Sequence, residues 1–295
     1  MAKIQSTSIP FAGCFTKTSE ILSSIKIVFA GLPSDSQSSF QRGCKRAPER
    51  VRFAYDGNCF SATTESGVDM YRMVTDLGDF IAKNTWDETS DAYRKQAENI
   101  FLSGKKPFFV GGDHAVTMPI VEALAGMKQP IHYIHFDAHP DLYPDFNDNI
   151  HSHACVCARI LEMSHIASVT QIGIRTMNAM QQQLADRYNS QLRIFFARNL
   201  LQNLPSLAFL QDGVPVYISI DMDCFDPAYA PGVAHPVPGG LTPRQVLNFI
   251  QEMRWKLIGM DVVEVNPEVD QNNQTAILAA RILHEAMGYV AKRSL

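Results

Sequence analysis

The strongest constraint on this chain is a set of short apolar runs: Ile25–Ala30, Pro107–Val110, Ile131–Phe136, Val169–Ile174, Leu192–Ala197, Val214–Ile220 and Lys256–Val265. They are rich in Val, Ile and Phe and scarcely alternate with polar residues. A strand of that kind hides both faces, as strands of a parallel sheet do. Segments between the runs read as helices. Asp91–Ser103 is one, with Ser90 as its N-cap and Gly104 just past its end. Thr242-Pro243-Arg244-Gln245 opens another as a capping box, with Val246, Leu247 and Ile250 on the apolar face. Gln274–Lys292 is a third. Strand–helix alternation predicts an α/β fold, a parallel sheet covered on both faces. Loop-rich stretches fall at Pro33–Arg52, Tyr143–His151 and Pro227–Gly240. None reads as a boundary, so a single domain is expected over residues 1–295.

Composition excludes several classes. With 295 residues, 46% hydrophobic and 19% charged, the chain can bury a core without disulfide staples. A net charge of −4 gives no support to a nucleic-acid partner. No run approaches the ~18 apolar residues of a membrane span. Met1–Glu20 lacks the basic end and apolar stretch of a signal peptide. The six cysteines are irregularly spaced and read as reduced thiols, so a cytoplasmic location is expected.

In open α/β sheets ligands bind beyond the carboxyl ends of the strands. Three of the runs end in chemistry-bearing residues. Gly111-Gly112-Asp113-His114 follows the second run. Asp137-Ala138-His139-Pro140-Asp141 follows the third, and Asp221-Met222-Asp223 follows the sixth. Residues two apart in extended backbone share a face. Asp137, His139 and Asp141 therefore point into one small volume, as do Asp221 and Asp223. Such a cluster of like charges beside an apolar strand is costly unless cations neutralise it. Two imidazoles and four carboxylates exceed the needs of one metal and suit two. The donors favour Mn²⁺, with Zn²⁺, Fe²⁺, Co²⁺ and Ni²⁺ as alternatives. Two metals a few Å apart can hold a bridging hydroxide, a nucleophile at neutral pH. The residues thus indicate a binuclear metallohydrolase. Asp226-Pro227 reads as a turn.

These three motifs, in this order, resemble the metal-binding signatures of the ureohydrolases, the arginase and agmatinase family. Gly239-Gly240-Leu241-Thr242 and Glu264-Val265-Asn266-Pro267 are similar to further family motifs. The resemblance runs from about Gly31 to the C-terminus. It implies a three-layer α/β/α fold with a central, mostly parallel eight-stranded sheet, two Mn²⁺ ions, and trimers or hexamers. It implies His114, Asp137, Asp141 and Asp221 around one ion, and His139, Asp137, Asp221 and Asp223 around the other. Asp137 and Asp221 would bridge. Glu264 would pair with a substrate guanidinium, and His153 would transfer a proton to the leaving amine, with His151 as a competitor.

The substrate is read from the same resemblance. Family arginases place an Asn where this chain has Tyr143, and agmatinases place an aromatic there. Agmatine, hydrolysed to urea and the polyamine precursor putrescine, is therefore the expected substrate. Guanidinobutyrate, guanidinopropionate, formimidoylglutamate, guanidine and arginine are the alternatives. An acidic substrate would want a cation at the mouth, for which Arg42, Arg46 and Arg159 are candidates. Two departures stand out. His235 replaces a Thr near the substrate site, and Ala154 replaces the Gly that usually follows the catalytic His. An inactive relative and a metallophosphoesterase are the other classes weighed. The ligand set is complete, which opposes the first, and the motif order opposes the second.

Overall fold

A computed structural model describes residues 9–16, 26–200 and 202–293. Ile25, and residues 1–8 and 17–20 of the N-terminal stretch, lie outside the described residues. In chain order the strands are β1 (Phe15–Thr16), β2 (Ile27–Leu32), β3 (Val74–Asp79), β4 (Lys106–Gly111), β5 (Ile131–Phe136), β6 (Ile166–Ile174), β7 (Leu192–Phe196), β8 (Pro215–Asp221) and β9 (Lys256–Val263). The helices are α1 (Ala47–Ala54), α2 (Trp86–Leu102), α3 (Thr117–Ala123), α4 (Val156–Leu161), α5 (Ala179–Arg187), α6 (Pro243–Glu252) and α7 (Gln274–Lys292). All nine strands pair in parallel in one sheet, ordered β1-β3-β2-β4-β9-β8-β5-β6-β7.

The expectation of eight strands, mostly parallel, becomes nine, all parallel, among the described residues. Every apolar run is a strand. Alternate residues of these strands feed two separate cores. Phe108, Val110, Ile134, Phe136, Ile218 and Ile220 pack with α1, α6 and α7. Phe109, Tyr133, Tyr217 and Ile258 pack with α2, α3 and α4 on the other face. That division produces the three layers.

Two strands were not anticipated. β1 has two residues. β3 reads Val-Thr-Asp-Leu-Gly-Asp and is too polar to look buried. Its acids are answered by Arg52, whose Nε lies 2.8 Å from Asp76 and whose Nη1 lies 2.7 Å from Asp79. The expected start of α2 needs correction. Ser90 lies inside the helix, and Thr85 caps it. Thr85 accepts from the Glu88 amide while the Glu88 carboxylate accepts from the Thr85 amide. That first turn is largely exposed, so its apolar period was silent. α6 begins at the anticipated Thr242–Gln245 capping box. The loop-rich stretch Pro33–Arg52 runs into α1. The six cysteines form no disulfides. No described helix is long and apolar enough to cross a membrane.

Candidate metal centre and active site

Parallel pairing puts every strand's carboxyl end at one edge of the sheet. β4, β9, β8 and β5 are adjacent, and each delivers part of the site. His114 follows β4, Glu264 follows β9, Asp221 ends β8, and Asp137 follows β5. The chain leaves β4 through Gly112, where a Cβ would lie 1.6 Å from the Ser34 carbonyl oxygen. Only glycine allows that approach, which lets the Asp113 amide bond to Ser34.

The six expected ligands converge. His114 Nδ1 lies 3.3 Å from Asp137 Oδ2, 3.1 Å from Asp141 Oδ2 and 3.3 Å from Asp221 Oδ2. His139 Nδ1 lies 2.9 Å from Asp223 Oδ2 and 3.5 Å from Asp137 Oδ1. Two groups of metal-capable atoms emerge, His114–His135–Asp137–Asp141 and Asp137–His139–Asp223, and Asp137 belongs to both. Asp141 takes up its place with φ of +50°, a left-handed backbone that an Asp tolerates better than most residues.

The electrostatics fit cations. Burial alone would raise the Asp137 carboxyl, but His135, His114 and His139 hold it well below the usual range. Burial and the Asp137 charge raise Asp141. Burial, Asp223 and Asp137 push Asp221 well above the usual range. Burial lowers His139, yet Asp223 and Asp137 more than reverse it, up to about 12. His114 Nδ1 is buried and makes no hydrogen bond of proper geometry despite three carboxylates around it. A nitrogen placed among carboxylates in this way suits a shared divalent cation.

His135 belongs to this cluster and was missed. Its Nε2 lies 2.8 Å from Asp137 Oδ2, and its Nδ1 accepts from the Gln171 amide at 3.0 Å. The signal was present, since His135 precedes Asp137 by two and shares its face. Behind His114 lies a second unanticipated group. His114 Nε2 is 3.1 Å from Ser219 Oγ, which donates to Asp261 Oδ1 at 2.5 Å; the Tyr217 hydroxyl donates to Asp261 Oδ2 at 2.7 Å.

Glu264 also has a left-handed backbone, φ +61°. This turns its carboxylate back towards His114, whose amide donates to Oε1 at 2.9 Å. Cys44 Sγ donates to Oε2. His153 Nδ1 lies 3.0 Å from the same Oε1, and Ser39 Oγ is 2.8 Å from His153 Nε2. Burial raises Glu264, but His153 and then the His114 amide bring it down to about 2. Burial lowers His153, but Glu264, then Asp113 and Asp141, raise it to about 9. Asp113 in turn holds the Ser39 loop, accepting from the Gln37 amide at 2.8 Å and the Ser38 hydroxyl at 3.3 Å.

A cavity of about 230 Å³ opens over the cluster. His139, Asp141, Asp221, Asp223, His153 and Glu264 line its base, and Ser39, Tyr143, Phe146 and His235 are among the residues around it. Tyr143 accepts from Asn178 Nδ2 at 2.6 Å and packs edge-on against Phe146. His235 stands 5.2 Å from the His153 ring and 5.5 Å from the Phe40 ring. His151 does not line the cavity; it lies 6.4 Å from Trp86. The three arginines considered for the mouth are not among the residues lining the cavity. Arg46 pairs with Glu268, Arg159 pairs with Glu162, and Arg42 reaches the Ser36 carbonyl. Asp226 makes the expected turn, with its carboxylate accepting from Ala228, Gly239 and Gly240.

Residues 25–288 match the family model described as the arginase family. The chain is 37% identical over 278 residues to arginase 1, mitochondrial, of Arabidopsis thaliana, covering 89% of this chain and 80% of that protein. It is 33% identical over 274 residues to the agmatinase of Chromobacterium violaceum, covering 88% of this chain and 82% of that protein. The solved arginase from Medicago truncatula matches with a TM-score of 0.81 at 32% identity, covering 88% of this chain and 86% of that chain.

Proposed function

This chain belongs to the arginase family, and from that premise we propose that it is a ureohydrolase, with two Mn²⁺ ions per subunit, that converts agmatine to putrescine and urea. The observation carrying this reading is the convergence of His114 on Asp137, Asp141 and Asp221, and of His139 on Asp137 and Asp223, beneath a cavity that also presents Glu264 and His153. His114, Asp137, Asp141 and Asp221 would hold one cation, and His139, Asp137, Asp221 and Asp223 the other. When bound, the pair supplies Lewis acidity and activates water, which a resonance-stabilised guanidinium demands of its catalyst.

The chain's own residues then bind, orient and move protons. Glu264, ionised down to a pH of about 2, offers the guanidinium a fixed counter-charge. His153, protonated up to a pH of about 9, is placed as an acid for the leaving amine. Ser39 Oγ and Glu264 fix its ring from opposite nitrogens.

The tail subsite supports agmatine. No Lys or Arg is among the described residues lining the cavity, while Tyr143 and Phe146 are. Aromatic faces suit an ammonium-ended chain. A carboxylate-ended substrate such as guanidinobutyrate would find no Lys or Arg among those residues. L-Arginine is the second reading, favoured by the 37% identity to a plant arginase.

The test is urea release from agmatine, arginine, guanidinobutyrate, guanidinopropionate and guanidine, and formamide release from formimidoylglutamate, with Mn²⁺ supplied. Urea from agmatine at the highest kcat/KM supports the proposal. Preference for another compound keeps the class and overturns the substrate. The assembly proposed is a homotrimer or homohexamer, so light scattering should give three or six times 32.9 kDa.

A further inference from the structure

Asp261 lies on β9, fully buried and out of reach of the cavity, yet it is linked to the cluster through one hydroxyl. Both of its oxygens receive hydroxyl hydrogens, Oδ2 from Tyr217 and Oδ1 from Ser219. A serine hydroxyl has one hydrogen. With that hydrogen committed to Asp261, Ser219 can offer His114 Nε2 only a lone pair. In the neutral imidazole that a cation requires, His114 must then carry its hydrogen on Nε2, which leaves Nδ1 bare. Nδ1 is the atom facing Asp137, Asp141 and Asp221.

From this geometry we infer that Asp261 is a positioning residue that sets the metal-binding tautomer of His114 through the Ser219 hydroxyl. The inference rests on the reading of His114 as a metal ligand. Its logic is that of other carboxylates that fix a histidine's tautomer, extended here by one hydroxyl.

The Asp261→Asn variant reverses the chain of donors. An asparagine has one acceptor oxygen and one donor nitrogen. Turning the nitrogen towards Tyr217 would leave the buried tyrosine hydrogen without an acceptor. Turning it towards Ser219 satisfies these three partners: Tyr217 donates to the amide oxygen, the amide nitrogen donates to Ser219, and Ser219 donates to His114 Nε2. The imidazole hydrogen is then forced onto Nδ1 and blocks the ligand lone pair. Ser219→Ala removes the link and leaves His114 free to choose its tautomer, a milder defect.

The experiment titrates chelator-stripped protein with Mn²⁺ and counts the free ion by electron paramagnetic resonance. Wild type should take up two ions per chain. D261N should weaken one of the two by about 100-fold, and S219A should weaken the same one by about 10-fold, within the range for residues that orient a metal's ligands. The double variant D261N/S219A should bind better than D261N, because the path that imposes the wrong tautomer is gone. A packing role for Asp261 would make the double variant worse than either single one. Loss in D261N that S219A does not relieve, or two unweakened ions in D261N, overturns the inference. Fewer than two ions in wild type overturns the metal reading beneath it as well.

Discussion

At the scale of single residues, Glu264 and His153 divide the work of charge. Each is held ionised by the other, so each is poised in the absence of substrate. Glu264→Gln keeps the shape and removes the counter-charge. It should leave two Mn²⁺ ions bound and lower kcat/KM by about 10²–10³-fold, the usual loss for one preorganised electrostatic contact. Falling metal content instead would place Glu264 among the ligands. The pair also sets a pH dependence in metal-free protein. His153 is raised from 6.5 to about 9, so its contribution to stability is complete below 6.5 and is lost as pH rises through 9. Glu264 is lowered from 4.5 to about 2, so its contribution is complete above 4.5 and is lost as pH falls through 2. The melting temperature of wild type should therefore exceed that of His153→Asn most between pH 4.5 and 6.5, and the gap should narrow towards pH 9. A gap that stays constant to pH 9.5 rejects the ion pair. The candidate ligands were legible because carboxylates and imidazoles two apart after apolar strands have few bland explanations. Ser39, Asp113 and Asp261 were not. Their contacts cross 114, 76 and 42 positions of sequence, and no local spacing announces such partners.

At the scale of elements, the strands that were legible are those buried on both faces, and the one of ordinary length that was not is β3, whose acids are paid off by a distant arginine. A second arginine does comparable work at the site. Arg175, just beyond β6, donates to the carbonyls of Gly173, Asp223, Cys224, Phe225 and Val237. It thereby ties the segment carrying Asp223 to the end of β6 and to the loop before α6. Lysine carries the charge but not the planar fork, so Arg175→Lys leaves several carbonyls unmet. The expected loss is about 2–3 kcal/mol in urea denaturation, from the lost charge-assisted bonds. Because Asp223 rides on this segment, the His139-side metal should weaken more than the His114-side metal. Equal weakening of both would mean that Arg175 supports the whole cluster and not this segment.

At the scale of the whole molecule, the total charge of −4 is silent about function, while its placement is not. Four adjacent strand ends gather acids that repel one another, and the apo fold bears that repulsion at the centre of its sheet. Cations bound there must stabilise folding in proportion to their affinity. At a free concentration of 100 times Kd one site contributes about 2.7 kcal/mol, and two independent sites about twice that. Each kcal/mol moves the melting temperature of a large domain by about 2 °C or more, so saturating Mn²⁺ should raise it by roughly 10 °C over chelator-treated protein. Variants separate the sites. His139 belongs to one of the two clusters, so His139→Ala should keep about half of the rise. Asp137 belongs to both, so Asp137→Ala should abolish nearly all of it. If Asp137→Ala retained half the rise, one cation would still be seated without it, and the sharing of Asp137 between two ions would be wrong.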